Sequence, residues 1–468
     1  MQWTWKDEPT VTAPGVDIIS TRVLAPVSSL GATDDVNLIE PAYLPFYTVM
    51  SGTSMATPHV AGIVALMLEA TPELSPDEIK QVLQETATNM PGYESWEVGA
   101  GYVNAYAALD AVLFEKKYGQ TVNAFQTFNS NVNSTVARKE FQIDYNPLLL
   151  SENSSSFTVE DGVSQLSARI DAAGLLGQTG NPVNLILVAP DGSEYSSGVS
   201  LLFPLYYDRT VSVTSPAAGE WKVKIDGLHG DPANPLGLAL PETITGTLSF
   251  AKVTGFSGLN DISGHPAASA IKMAVSERLV DGYTGGTFKP DQNLVRKDLA
   301  RFLVMGVGVR QSQAPAVKDV ASGDAPFVKA AVAKGASIRD GAGTQGGVML
   351  LDSNGSFNPN AEVNRTELAY SLVQALGLEK QAKEVTGDLT VLYKGERIPV
   401  KDSGAVPAAL RGYVQLALDL NILNATFSVK QGIYDLVPTV EASFEPAKKV
   451  TRGDYAVAVT RYFQAWLQ

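Results

Sequence analysis

The chain contains no cysteine, which excludes disulfides and thiolate metal sites. Histidine is almost as scarce: His59, His229 and His265 are the only three in 468 residues. Chemistry that needs an imidazole base therefore has few places to find one. Cations are in the minority, 35 Lys and Arg against 49 Asp and Glu, for a net charge of −14. That balance argues against nucleic acid and anionic membranes as partners. No apolar run reaches the length of a membrane span. The opening MQWTWKDEPT lacks the basic start and apolar core of a signal peptide. No cluster of residues suggests a metal or other cofactor. What remains is ordinary globular material, 45% hydrophobic and 18% charged, with chain enough for roughly two to four domains.

Residues Ser51 to Gly62 read SGTSMATPHVAG, and an apolar stretch from Ile63 to Ala70 follows. A small-residue turn opening a long helix exposes one serine and holds it rigid. Ser54 is expected at or just before the first helical turn, where backbone N–H groups lack partners and the helix dipole favours a developing oxyanion. This twelve-residue string resembles the serine motif of the subtilases, the subtilisin-like serine proteases. The resemblance implies a hydrolase of peptide bonds, with Ser54 as nucleophile and proteins or peptides as substrates.

A serine hydroxyl needs a base, and the base needs an orienting acid. Subtilases carry them in the order Asp, His, Ser, yet no histidine stands among the 53 residues before Ser54. His59 lies about 140° further round the same helix, so it is expected to be structural. His229 and His265 sit in later segments with no triad-like surroundings. Asp17 follows a strand entry, Asp34 and Asp35 sit in what reads as a loop, and none is expected to serve. Thr12-Ala13-Pro14-Gly15 and the strand after it resemble the segment that precedes the family's serine, with an insertion from Leu24 to Phe46 between. The resemblance thus implies that the triad Asp, the triad His and the oxyanion Asn belong to sequence upstream, or to a separate N-terminal catalytic half. In subtilisin, loss of the base alone costs about 10⁶-fold in turnover, so this chain by itself is expected to be inactive.

Further along, Ser75-Pro76-Asp77-Glu78 predicts a capped helix, with serine as N-cap, proline at the first position and glutamate closing a capping box. Gly99 to Ala105 opens another helix through Leu113 and resembles the close of a subtilase domain. From about Thr121 the texture changes. Short alternating runs such as Val183 to Val188 are separated by turns such as Pro190-Asp191-Gly192, which predicts an antiparallel β-sandwich. Its P-D-G turn and A-G-x-W-x-V strand resemble jelly-roll domains appended to secreted proteases. Trp221 is expected in the core rather than on a ligand platform.

The last region repeats. Phe288-Lys289-Pro290, Phe357-Asn358-Pro359 and Phe444-Glu445-Pro446 are each followed, six residues after the proline, by an arginine: Arg296, Arg365 and Arg452. Two positions on stands an acid, Asp298, Glu367 or Asp454, and upstream an aspartate, Asp261, Asp319 or Asp402. Repetition with loop insertions marks stacked units that share a core. The pattern resembles three S-layer homology domains, which bind secondary cell-wall polysaccharide. The resemblance implies that Arg296, Arg365 and Arg452, with Asp298, Glu367 and Asp454, line the carbohydrate sites. Arginine suits acidic sugar substituents because its planar fork grips them bidentately. The alternative is that each arginine pairs with the acid two residues on and caps its own helix.

The expected architecture is therefore multidomain. A partial α/β subtilase domain (1–117) precedes a jelly-roll-like β-sandwich (121–252) and mainly α S-layer homology repeats (255–468, at about 255–311, 315–378 and 398–468). The expected protein is the C-terminal portion of an extracellular protease tethered to the cell wall. The competing expectation is a wall-binding module that carries a decayed protease segment.

Overall fold

A computed structural model describes residues 9–22, 32–93, 95–148, 153–174, 180–198, 208–231, 234–312, 317–431 and 438–467. They fall into two units, one of residues 1–131 with 258–468 and the other of residues 132–257.

The first unit begins with strand β1 (Ile18–Thr21), helix α1 (Ala32–Leu38) and strand β2 (Tyr47–Met50). The two strands pair antiparallel, Ile18 opposite Met50. In this part of the expected α/β domain the described ladder joins sequence neighbours, and among residues 9–117 the one parallel pairing described is a bridge between Thr12 and Tyr102. Helix α2 (Thr53–Ala70) follows β2 at once. Helix α3 (Pro76–Thr86) carries the predicted capping box, with the Glu78 N–H donating to Ser75 Oγ and the Ser75 N–H to the Glu78 carboxylate. A short α4 (Ser95–Val98) leads to α5 (Ala105–Phe114), whose N-cap is Asn104. Ile63 and Met67 of α2 meet Leu83, Val103 and Ala108 in one small core.

The second unit is all strand: β3 (Asn131–Tyr145), β4 (Ser154–Val159), β5 (Val163–Asp171), β6 (Val183–Val188), β7 (Glu194–Ser196), β8 (Asp208–Thr214), β9 (Gly219–Gly227), β10 (His229–Asp231), β11 (Asn234–Leu238) and β12 (Glu242–Ser257). Two four-stranded sheets, ordered β3-β12-β5-β8 and β4-β9-β6-β7, contribute to one core. Alternation decides which side chains enter it: Trp221, Val223 and Ile225 of β9 are buried and Lys222 is exposed. Trp221 is a core residue, its indole N–H donating to Ala217 O at 2.8 Å.

The chain then returns to the first unit through α6 (Ala268–Ser276), α7 (Arg296–Gly306), α8 (Ala325–Val332), α9 (Arg365–Ala375), α10 (Glu379–Glu384), the hairpin β13 (Thr390–Tyr393) and β14 (Glu396–Pro399), α11 (Arg411–Asp419), the hairpin β15 (Thr426–Lys430) and β16 (Thr439–Ser443), and α12 (Arg452–Leu467). The three repeated segments close a ring. Leu294 N–H donates to Val450 O (2.8 Å), Val450 N–H to Val363 O (3.0 Å) and Val363 N–H to Leu294 O (2.9 Å). Phe288, Phe357 and Phe444 are fully buried, one per segment. Each upstream aspartate clamps its own F-x-P turn. Asp261 accepts the N–H groups of Phe288 and Lys289, Asp319 those of Phe357 and Asn358, and Asp402 those of Phe444 and Glu445, all at 2.7–3.0 Å. The middle residue of every turn has positive φ, 54°, 57° and 56° for Lys289, Asn358 and Glu445. Paired N–H donors on a carboxylate help hold that uncommon conformation.

Candidate functional site

Ser54 sits exposed in the first turn of α2. The N-cap is Gly52, at φ 153°, and it offers no side-chain cap to the turn. The opening N–H groups of α2 therefore have no side-chain cap, and the positive end of its dipole lies at the turn that carries Ser54. The Thr-Ala-Pro-Gly turn packs directly behind: Gly52 N–H donates to Gly15 O at 2.6 Å. A Cβ on Gly15 would lie 2.8 Å from Gly52 O, so only glycine permits that approach.

The candidate partners go elsewhere. Among the described residues no hydrogen bond joins Ser54 to a histidine or carboxylate. His59 donates from Nδ1 to Met55 O at 2.9 Å, one turn back along its own helix. His265 accepts the Ala267 N–H at Nδ1 and meets Asp291 through Nε2 at 3.2 Å. His229 lies 3.9 Å from Asp226 in the two-sheet unit. The Asp17 N–H binds Ser51 Oγ at 2.9 Å. Asp34 and Asp35 are helical, in α1, rather than in a loop. Asp35 is buried and ties that helix to β2, accepting from Val49 N–H (2.6 Å) and Thr48 Oγ1 (3.0 Å) beside Arg22.

Around α2 much apolar surface faces outward. Val16, Ile19 and Leu66 are 74%, 51% and 46% exposed, although α2 is apolar on nearly every side.

In the repeated segments, each arginine singled out by spacing reaches into the next segment, and two of the three meet that segment's acid. Arg296 contacts Glu367 and donates to Phe357 O and Leu350 O, both at 2.6 Å. Arg365 donates to Phe444 O at 2.7 Å and to Asn424 O, and Glu445, Asp454 and Asp402 favour its charged form. Arg452 donates to Phe288 O (2.8 Å) and Asp281 O (2.7 Å) and lies 3.6 Å from Asp298. Each guanidinium also stacks on the phenylalanine of the segment it reaches, at 4.6–4.8 Å. Every arginine is thus a strut to the next segment. The equal spacing of the three arginines was visible in the sequence, but their partners lie in another repeat. Burial weakens the hold of all three on their protons, most completely for Arg452 at 2% exposure, and the neighbouring acids oppose it. Beside Arg296 and Glu367 opens a cavity of about 520 Å³ lined also by Leu351, Asp352, Asn358 and Tyr370.

Two stretches of the chain match known protein families. Residues 1–103 match the subtilase family and residues 258–300 the S-layer homology domain. Serine protease AprX of Bacillus subtilis is 41% identical over 100 residues, 21% of this chain and 21% of that protein. The extracellular basic protease of Dichelobacter nodosus is 30% identical over 219 residues, 45% of this chain and 34% of that one. The chain therefore spans about a fifth and about a third of the length of these two relatives. A serine protease of Aeromonas sobria aligns structurally at 16% identity over 51% of each chain, with a TM-score of only 0.19. The N-terminal region is thus similar to part of the subtilase family, and the same chain carries a match to the S-layer homology domain. Among the described residues no helix is long and apolar enough to cross a membrane.

Proposed function

We propose that this chain is the C-terminal portion of a cell-surface subtilisin-like endopeptidase, held to cell-wall polysaccharide by three S-layer homology repeats. The observation that carries it is the subtilase serine turn at the head of α2 in the same chain as an S-layer homology domain. Ser54 Oγ attacks the scissile peptide carbonyl, and its own backbone N–H supplies part of the oxyanion site. The base, its orienting acid and the second oxyanion donor come from the remainder of the catalytic domain, in longer sequence or in a separate half. That remainder covers the apolar residues exposed around α2. The two-sheet unit is a jelly-roll-like spacer. Wall polysaccharide seats in the clefts of the ring, with Arg296 and Glu367 lining one and Arg365, Asp454 and Asp298 at the corresponding positions, while Arg452, 2% exposed, braces the turn from within; the protein is extracellular. Lacking its upstream partners, the chain alone does not turn over.

A second reading, a wall-binding module with a decayed protease segment, is favoured by the histidines, all of which bond away from Ser54. One experiment tests the proposal. The full chain is sedimented with purified cell wall and the pellet probed with a fluorophosphonate, against the same proteins extracted from the native envelope. The proposal expects pelleting throughout and labelling of Ser54 only in the envelope sample. Strong labelling of the isolated chain would show that it holds its own base. Pelleting without labelling in either sample would leave the second reading.

A further inference from the structure

Asn89, Asn104 and Thr121 lie in or just after the subtilase region, and Gln311 in the repeats; all four are buried. Hydrogen bonds made by their side chains join the two regions across 190 to 226 positions of sequence. Gln311, 3% exposed, donates from Nε2 to Ala87 O at 2.7 Å and Glu85 O at 3.2 Å. Those carbonyls stand at the C-terminal end of α3, where a helix leaves its last acceptors unpaired. The Gln311 amide oxygen accepts the Thr121 hydroxyl. Its backbone carbonyl accepts Asn104 Nδ2 at 2.7 Å, and Asn104 Oδ1 caps the start of α5.

The favour is returned at the end of α7. Asn89 Nδ2 donates to Val304 O at 3.1 Å and Asn123 Nδ2 to Met305 O at 2.9 Å, both in the last turn of that helix. The Asn123 N–H is itself held by Asn89 Oδ1 at 2.6 Å. A second seam lies nearby in sequence, where the Asp281 carboxylate accepts the N–H groups of Asn129 (3.0 Å) and Ser130 (2.8 Å). Each region thus completes helix ends that the other leaves open. Gln311 finds its side-chain partners in the other segment, and leaving buried amides and carbonyls unpaired is costly.

We propose that residues 304–311 of the first repeated segment are a built-in docking partner for α3 and α5, so that the serine-bearing region and the ring open and close as one cooperative body. Among the described residues the core shared by α2, α3 and α5 has five buried apolar members, Ile63, Met67, Leu83, Val103 and Ala108, with ten partly buried ones packed against them. The ring adds the hydrogen bonds at the ends of α3 and α5. The anchor is then part of the protease region's own fold, and Ser54 is fixed to the ring through α5 and α2 rather than swung from it on a linker.

Amide hydrogen exchange on the full chain tests this without recourse to wall binding or hydrolysis, so its outcome is separate from the function proposed above. Leu299→Ala removes a fully buried side chain inside α7. Cavity formation of that kind should speed exchange in α7 by about 100-fold, and cooperativity requires α3 and α5 to speed up by the same factor. Acceleration confined to the repeats, with α3 and α5 at wild-type rates, would overturn the proposal. If Leu299→Ala does not fold, Gln311→Ala serves. It should speed exchange in α3, α5 and the end of α7 together by about tenfold, and unchanged rates in α3 and α5 would overturn the proposal equally.

Discussion

The ring of repeated segments and the serine-bearing region are built from helices of similar size, yet they close their cores by opposite means. In the ring, the side chains that repetition marks out are spent on the next copy. Each arginine reaches the neighbouring F-x-P turn, each aspartate clamps its own turn, and three backbone hydrogen bonds complete the circle. The region around Ser54 has no copy of itself to complete it. Its longest helix buries Ile63 and Met67 and leaves Leu66 and Leu68 outside. Repetition lets short segments satisfy one another with polar struts. The serine-bearing region instead completes its helix ends with groups from the ring, at its α3–α5 side.

The sharpest way to break this comparison is at Arg452. Its guanidinium is 2% exposed and holds two backbone carbonyls and Asp298 of the first segment. Arg452→Ala leaves those acceptors buried without a donor, which should cost about 3–5 kcal/mol and be read directly as a drop in denaturant midpoint at unchanged slope. A loss below about 1 kcal/mol, the range of exposed ion pairs, would mean that the ring closes through apolar packing like any other core.

A smaller effect should follow at Asp319, with a pH signature. The N–H groups of Phe357 and Asn358 hold its carboxyl below the usual value. A depressed carboxylate stabilises the fold above its unfolded pKa, near 3.9, and that contribution is lost as pH falls through the folded value. Wild type should therefore unfold more easily as pH drops below about 4. Asp319→Asn should start lower at neutral pH and converge on wild type in acid. A gap that stays constant into acid would trace the loss to packing rather than charge.

What could be read from the sequence was local. Ser54 in the first turn of α2, the capping box at Ser75, the inward-facing Trp221 and the threefold F-x-P and arginine spacing all follow from periodicity, turn chemistry or repetition. The misses are all long-range. Asp34 and Asp35 read as loop because the insertion has no clear period, and the burial of Asp35 depends on Thr48 and Val49 across a sheet edge. The arginines showed their importance by spacing but not their partners, because the acid two residues on looks as plausible as the acid one repeat away. Arg296 reaches Phe357 O over 61 positions and Gln311 reaches Glu85 O over 226, and nothing in a local pattern encodes such separations.

The mildest probe falls on the other side of the comparison, where a helix is stabilised by its own sequence. Ser75 Oγ accepts the Glu78 N–H and the Glu78 carboxylate accepts the Ser75 N–H at 2.8 Å, on an exposed surface. Ser75→Ala removes one cap from α3 and should cost about 1 kcal/mol, several-fold less than Arg452→Ala. The difference is one of solvent: water can replace a lost cap at the exposed end of α3 but cannot reach the carbonyls that Arg452 covers. Since Gln311 caps the opposite end of α3, the small loss should nonetheless reach the ring if the two regions share one transition. Urea unfolding followed separately by Trp466 in α12 and by amide exchange in α3 should then give coincident midpoints, both shifted by the same small amount. Separated midpoints would mean that the serine-bearing region, for all its bonds to the ring, still unfolds on its own.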